Sequence, residues 1–219
     1  MKSLKRPANP PKCLSNYKHG ADNWDSVKPI DKQEIWGKLD TMQGGFCAYC
    51  ECRLKKNSKH IEHFKYKGHY PKSTFEWQNL FGSCGNSSHC GHYKDRPKGD
   101  YYSPSDLIKP DKDCPSDYLL FLVTGEVSVR SELGSMKQHK ANETIRVFNL
   151  NNDPSLVNSR RNALRDISNE IEQLYIMQGE FEIEEWQELL EDELALLANR
   201  EYQTALEHAW KYNKDYGCV

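Results

Sequence analysis

The sequence predicts an α+β chain with an N-terminal arm, a small zinc-fastened centre and a mainly helical C-terminal part. Three observations carry that reading. Metal-binding side chains gather in the centre, where Lys59 to Asp95 holds five of the eight histidines. Short strand-like runs, "HIEHF" and "YLLFLVTGEVSVRS", lie near the middle of the chain. After Asp153, apolar residues recur at three- and four-residue intervals, the period of an amphipathic helix. The divisions that follow are 1–45 (Pro-rich arm and helix), 46–100 (the metal-rich core), 101–152 (loop and β-hairpin) and 153–219 (helical, suited to a partner).

Taken in order, Pro7, Pro10, Pro11 and Pro29 make residues 1–30 an extended arm that wraps the domain or a partner. Asp31 is placed as an N-cap with Glu34 three residues on, and Ile35, Leu39 and Met42 fall at helical spacing up to Gly44-Gly45. "KGDYYSPSDLIKPDKDCP" is rich in turn residues and reads as a loop. The hairpin turns at Thr124-Gly125-Glu126. "TIRVFNLNND" is read as a strand running into a helix, with Asp153 as N-cap and Pro154 at the first helical position. Leu164, Ile167, Ile171 and Leu174 form one stripe closed by Gly179. Trp186, Leu189, Leu190, Leu194 and Leu197 form a second, and Tyr202, Leu206 and Trp210 continue it. Core packing is the expected use of these stripes.

Bulk properties exclude some classes. The mean hydropathy of −0.87 and the lack of an apolar run of roughly 20 residues argue against a membrane span. The basic start "MKSLKRPANPPKCLSNY" lacks the apolar stretch of a secretory signal, so a cytoplasmic location is expected. In that setting the eight cysteines point to metal rather than disulfides. Charge is uneven. Residues 46–100 carry 10 Lys/Arg against 5 Asp/Glu, and residues 155–219 carry 6 against 14. A polyanion suits the first segment and a protein partner the second.

In "FCAYCECRL", Cys47 and Cys50 form a C-x-x-C that can hold zinc from a tight knuckle. Cys84 and Cys90 supply a second pair with five residues between them, and His89 is an alternative to Cys90 as fourth ligand. No thioredoxin-like pattern surrounds the C-x-x-C, so a redox role is disfavoured. Cys52 reads as a bystander, and Cys13, Cys114 and Cys218 carry no signal. The zinc would fasten a segment that contains Glu62-His63. Strand alternation sends adjacent side chains to opposite faces, so these two share a site only at a bend or strand end. There a carboxylate can hold a hard divalent metal and a neutral imidazole can take a proton from water, which together suit phosphodiester hydrolysis. His92 can complete the metal site, Asn79 can hydrogen-bond backbone near the base, and Lys94, with Lys65 and Lys67, can contact phosphate. His60 and His69 are weaker candidates for second-tier or substrate contacts.

The order C-x-x-C, Glu-His, Asn-Leu, Cys and Cys-x-His resembles an HNH endonuclease of the ββα-metal type with an associated zinc knuckle. The resemblance implies two strands preceding a helix that begins near His92. It implies His63 as general base, Glu62 and His92 as ligands of a catalytic Mg²⁺ or Mn²⁺, Asn79 as support for the base, and structural Zn²⁺ on the cysteines. The chain departs from the common form, in which Cys-x-x-Cys is followed directly by Asn or His. Here five residues separate Cys84 from Cys90 and a glycine precedes His92, which makes His89 a rival. "FCAYCECRL", "EHFKYK", "TFEWQNLFGSC", "TIRVFNLNND" and "LVNSRR" together resemble the PtuB components of Septu antiphage systems. That resemblance implies cleavage of DNA, or RNA, by the effector of a defence complex. It also implies a PtuA-like ATPase of the ABC/OLD type as partner and, in versions carried beside retrons, a reverse transcriptase with its msDNA. The competing reading is a zinc-binding adaptor that binds nucleic acid or the ATPase without cutting.

Overall fold

The computed structural model describes residues 1–97, 99 and 101–212. Cys218 lies outside the described residues. The first helix, α1 (Pro29–Gln43), begins two residues before the expected cap: Lys28 is the N-cap and Pro29 opens the first turn. Asp31 and Glu34 are used sideways instead. Asp31 accepts the Tyr17 hydroxyl at 2.5 Å, and Glu34 accepts the backbone N–H groups of Lys12 and Cys13. Gly44 ends the helix at φ +65, the left-handed geometry that glycine takes without penalty.

The Pro-rich arm lies on the domain itself. Leu4 N–H donates to Pro110 O, and Trp77 Nε1 donates to Pro7 O. The Arg6 guanidinium donates to the carbonyls of Trp77 (2.7 Å) and Leu80 (3.0 Å) while lying over the rings of Trp77 and Phe81. The arm therefore braces the start of a central strand.

At the centre, β1 (Lys59–His63) pairs antiparallel with β2 (Leu80–Cys84), in the register Lys59 to Cys84 and His63 to Leu80. The short helix α2 (Cys90–Lys94) packs on both strands and starts earlier than the expected position near His92. A second hairpin, β3 (Leu119–Phe121) with β4 (Val127–Val129), turns at Gly125.

Residues 101–152 also contain a helix whose last turn falls where a strand was expected. In α3 (Ser135–Val147), "TIRV" forms the last turn, and "FNLNND" is the following connection. Ala141, Thr144 and Val147 recur at helical spacing on the buried face, so tertiary packing overrides the local β-propensity of Thr-Ile-x-Val. Asp153 caps α4 (Pro154–Met177) by accepting Ser155 N–H, with Pro154 in the first turn. Leu156, Leu164, Ile167 and Ile171 of α4 are buried, and so are Leu206, Ala209 and Trp210 of α6 (Gln203–Lys211). Between them α5 (Ile183–Leu196) buries none of its residues, although Trp186 meets Tyr175 edge-on at 5.1 Å. Of the expected second stripe, Leu190 and Leu194 are half-buried against the core, Leu197 just beyond α5 is fully buried, and its continuation is buried at Leu206 and Trp210. Among the described residues no helix is long and apolar enough to cross a membrane.

Candidate metal centre and catalytic hairpin

Four cysteines from three segments converge. Cys47 and Cys50 come from the knuckle after α1, Cys84 ends β2, and Cys90 opens α2. All are buried, and their sulfurs lie within 4.8 Å of one another, a cage that can hold a metal ion such as zinc. The knuckle closes through Cys47 N–H to Cys52 O and Glu51 N–H to Cys47 O, with Glu51 in the left-handed region at φ +64. Burial raises the Cys47 thiol, but the neighbouring Cys50 and Cys52 thiols outweigh it and bring the group below its ordinary value. The surrounding thiols of Cys47, Cys50, Cys52 and Cys90 likewise pull Cys84 down. Cys47 raises Cys50, and burial raises Cys90, so among themselves the four thiols divide between lowered and raised; zinc binding would take all four as thiolates.

His89 stands beside the cage rather than in it. Its Nδ1 is 3.1 Å from Cys90 Sγ and 3.7 Å from Cys84 Sγ, and its Nε2 is 3.6 Å from Asp153 Oδ2. Burial depresses its pKa, but the Cys84 sulfur and Asp153 outweigh that and raise it. His89 therefore links the cysteine cage to the capped end of α4.

Gln43 was not singled out in the sequence, yet it clamps the knuckle to β2. Its Nε2 donates to Phe46 O (2.7 Å) and Gly82 O (2.9 Å), and its Oε1 accepts Gly82 N–H (2.7 Å), all buried. The last polar residue of a predicted helix gives no local sign of such a role. Only the position of Gly82 in space reveals it.

The hairpin supported by this cage carries the other candidates. His63 is the last residue of β1 and 4% exposed. Its ring meets Trp24 edge-on at 4.5 Å, and its Nε2 is 3.1 Å from Thr74 O. A carbonyl can only accept, so Nε2 carries the proton and Nδ1 keeps the lone pair. Burial, reinforced by Lys67, lowers the pKa of His63 to about 3, so the ring is neutral. Asn79 accepts Lys65 N–H (2.7 Å) and donates to Lys65 O (3.1 Å) and Ser73 O (3.0 Å). It thereby ties both ends of the loop that presents Thr74 to His63.

Glu62 points away from His63, toward α2, as strand alternation requires. It is 2% exposed. One carboxylate oxygen takes the Tyr49 hydroxyl, and the other lies 2.8 Å from Lys94 Nζ, an ion pair without hydrogen-bond alignment. Burial raises the Glu62 pKa to about 7 even against the pull of Lys94. Lys94 itself is 2% exposed and donates to His63 O (3.0 Å), Asp95 (2.6 Å) and Tyr102 (2.8 Å). The Lys94 expected against a phosphate is thus a buried strut between β1 and α2. Lys65 is half-buried and Lys67 is exposed.

His92, on α2, is exposed and stacks on His60 with ring centroids 3.7 Å apart. His60 is half-buried, and its Nδ1 is buried without a hydrogen-bond partner. Burial, then the neighbouring His92, lowers the His60 pKa to about 4. Among the described residues Glu62 and His92 do not join a set of three His, Cys, Asp or Glu donors within 4.8 Å. The imidazole at His92 thus comes from α2, while Glu62 of β1 is held by Tyr49 and Lys94 in this conformation.

No family model matches the chain. The Septu protein PtuB of Bacillus thuringiensis is 32% identical to it over 125 residues, covering 53% of this chain and 44% of the relative. The chain is similar to a Septu PtuB. The match spans less than half the length of that curated relative.

Proposed function

We propose that this protein is a metal-dependent endonuclease of the HNH type, acting on DNA or RNA as the effector of a Septu-like antiphage complex. The observation that carries the reading is His63. A neutral imidazole has its protonated nitrogen fixed on Thr74 O and its lone pair left on Nδ1, at the end of a hairpin fastened by four cysteines. In this role Nδ1 takes a proton from water, the water oxygen bonds to phosphorus, and the bond to the leaving ribose oxygen breaks. The low pKa of His63 is relieved by the substrate itself, since a phosphate anion nearby favours the imidazolium and offsets Lys67. Asn79 keeps the Thr74 carbonyl in place, and Lys65 and Lys67 are the lysines suited to the phosphate backbone. His92 would hold Mg²⁺ or Mn²⁺, with Glu62 joining only when released from Lys94. When bound, such an ion stabilises charge on the phosphate and leaving oxygen. Zn²⁺ on Cys47, Cys50, Cys84 and Cys90 serves as the structural metal.

The partner in this reading is a PtuA-like ATPase of the ABC/OLD type, with a retron reverse transcriptase and its msDNA joining where the complex includes them. The acidic, unburied α5, with Ile183 and Leu196 each 71% exposed, is the surface suited to that partner. The deciding experiment is cleavage of labelled DNA and RNA with Mg²⁺ or Mn²⁺, with and without the ATPase, comparing wild type with His63→Ala. Cleavage by wild type and its loss in a folded, zinc-containing His63→Ala supports the nuclease. Equal cleavage by both removes His63 from the mechanism. The hold of Tyr49 and Lys94 on Glu62 favours a second reading, a zinc-binding adaptor. Nucleic-acid or ATPase binding without cleavage in any combination supports it.

A further inference from the structure

We propose that Arg160 of α4 is the counter-charge of the cysteine cage. Its buried guanidinium balances the negative charge that four thiolates leave around a zinc ion, so α4 is fastened through the same metal as the hairpin. The inference rests on the zinc cage and is independent of the nuclease reading. Arg160 lies in "LVNSRR", outside both the knuckle and the hairpin.

The first observation is a buried cation without an acid. Arg160 is 2% exposed. Its Nη2 donates to the Leu150 carbonyl, while Nε and Nη1 are buried with no hydrogen-bond partner. Among the described residues it forms no ion pair with a carboxylate. Glu51, a carboxylate whose charge reaches it, is taken by the Thr204 N–H. A guanidinium keeps its proton, so a buried one needs negative charge nearby.

The second observation is its place. Phe148 O accepts the Cys90 N–H (2.9 Å), and the Phe148 ring stacks on Tyr49, next to Cys50, at 4.1 Å. Leu150, two residues on, takes the Arg160 guanidinium. The guanidinium is thus anchored on the short connection that also receives the cage. Burial lowers the Arg160 pKa, and the strongest opposing pull comes from Cys50 and Cys90.

The third observation is the charge to be balanced. Four thiolates around one divalent ion leave two negative charges in excess. His89, also beside the cage, already faces Asp153. Arg160 has no such acid, so its charge is left for the cage. Because α4 packs on α6, the metal then holds the C-terminal helices as well as β1 and β2.

The test separates charge from hydrogen bond. Arg160→Gln keeps a donor for Leu150 O and loses the charge, Arg160→Lys keeps the charge, and Arg160→Met loses both. Zinc affinity is measured by competition with a chelating dye. The sulfur-to-metal charge-transfer bands of the Co²⁺-substituted protein report the thiolates directly. Wild type is expected to hold a single zinc and to show these bands. Arg160→Gln and Arg160→Met should bind zinc about tenfold or more weakly, the usual cost of losing a group behind the ligands. Their bands should move to longer wavelength, because thiolate electrons lie higher once the cation is gone. Arg160→Lys should stay near wild type in both respects. Where Arg160→Met fails to fold, Arg160→Gln and Arg160→Lys decide. Bands unmoved in Arg160→Gln overturn the proposal whatever happens to affinity, and so does unchanged zinc affinity. Arg160→Lys as weak as Arg160→Gln also overturns it, since charge is then not what matters. A wild type without zinc or thiolate bands removes the cage itself, whereas a zinc-loaded wild type matched by Arg160→Gln removes this inference and leaves the cage standing.

Discussion

Replacing Asn79 with Ala removes three hydrogen bonds at once, of 2.7, 3.1 and 3.0 Å, from a side chain that is 2% exposed. A bond of this kind contributes about 0.5–1.5 kcal/mol net, and a buried partner left unpaired costs about 1–3 kcal/mol. Lys65 is half-buried, so water can reach its freed backbone groups, whereas the carbonyl of buried Ser73 is left with the longer Glu76 N–H bond of 3.3 Å alone. The expected loss is about 3 kcal/mol. With a urea slope of roughly 2 kcal/mol/M for a chain of this size, the midpoint should fall by about 1.5 M. Asn79→Asp retains the acceptor for Lys65 N–H but loses both donors, so it should fall between Ala and wild type. Amide exchange at Phe64, whose N–H binds Asn79 O, reports whether the loop opens locally. If the nuclease reading holds, cleavage should fall by about a hundredfold, because displacing the Thr74 carbonyl frees the base from its orientation. A midpoint within experimental error of wild type, with unchanged Phe64 exchange, would refute the idea that Asn79 holds this loop.

Further expectations concern metal, protons and backbone. Chelation of zinc, or Cys84→Ser, should release the metal and abolish cooperative unfolding of the hairpin, followed by metal content and circular dichroism; retained cooperativity counts against a structural cage. His208 accepts Phe121 N–H at Nδ1, and burial lowers its pKa to about 3, as at His63. The unfolded chain takes up these protons first, near pH 6.5, so stability is full above that pH and is lost as pH falls toward 3. Each buried ring accounts for on the order of 3 kcal/mol by pH 4, and His208→Gln should flatten this decline in urea midpoints measured from pH 7 to pH 4. Gly125→Ala at φ +84 would drive a Cβ into the Val157 carbonyl oxygen, lowering stability by at least about 2 kcal/mol; a smaller loss in urea unfolding means the hairpin turn yields easily.

The sequence was informative where chemistry or punctuation is local. Asp153-Pro154 marks the start of α4 because capping and a fixed φ act within one turn. Cys47-x-x-Cys50 marks the knuckle because two thiolates at that spacing face one ion. It was less informative where distant partners decide. Asp31 and Glu34 resemble a capping box, yet the arm takes both carboxylates from outside the helix. "TIRVFN" has β-branched residues, but its buried face pairs with neighbours at helical period. At the hairpin, adjacency in sequence suggested that Glu62 and His63 share a site. The pleat instead turns Glu62 toward Lys94 and Tyr49, and it places His60 on that same side beside His92. Gln43 gave no sign at all, since its partners, Phe46 and Gly82, matter only after the strand is placed.

The knuckle is also held by a segment far away in sequence: Glu51 accepts the Thr204 N–H across 153 residues and the Tyr202 N–H reaches the Glu51 carbonyl. A ribosome delivers Cys47, His63 and His92 long before it delivers Thr204. The half-made chain therefore holds the reactive side chains without the frame that aims them. If the nuclease reading holds, this order keeps the hairpin without its brace until Thr204 has been made.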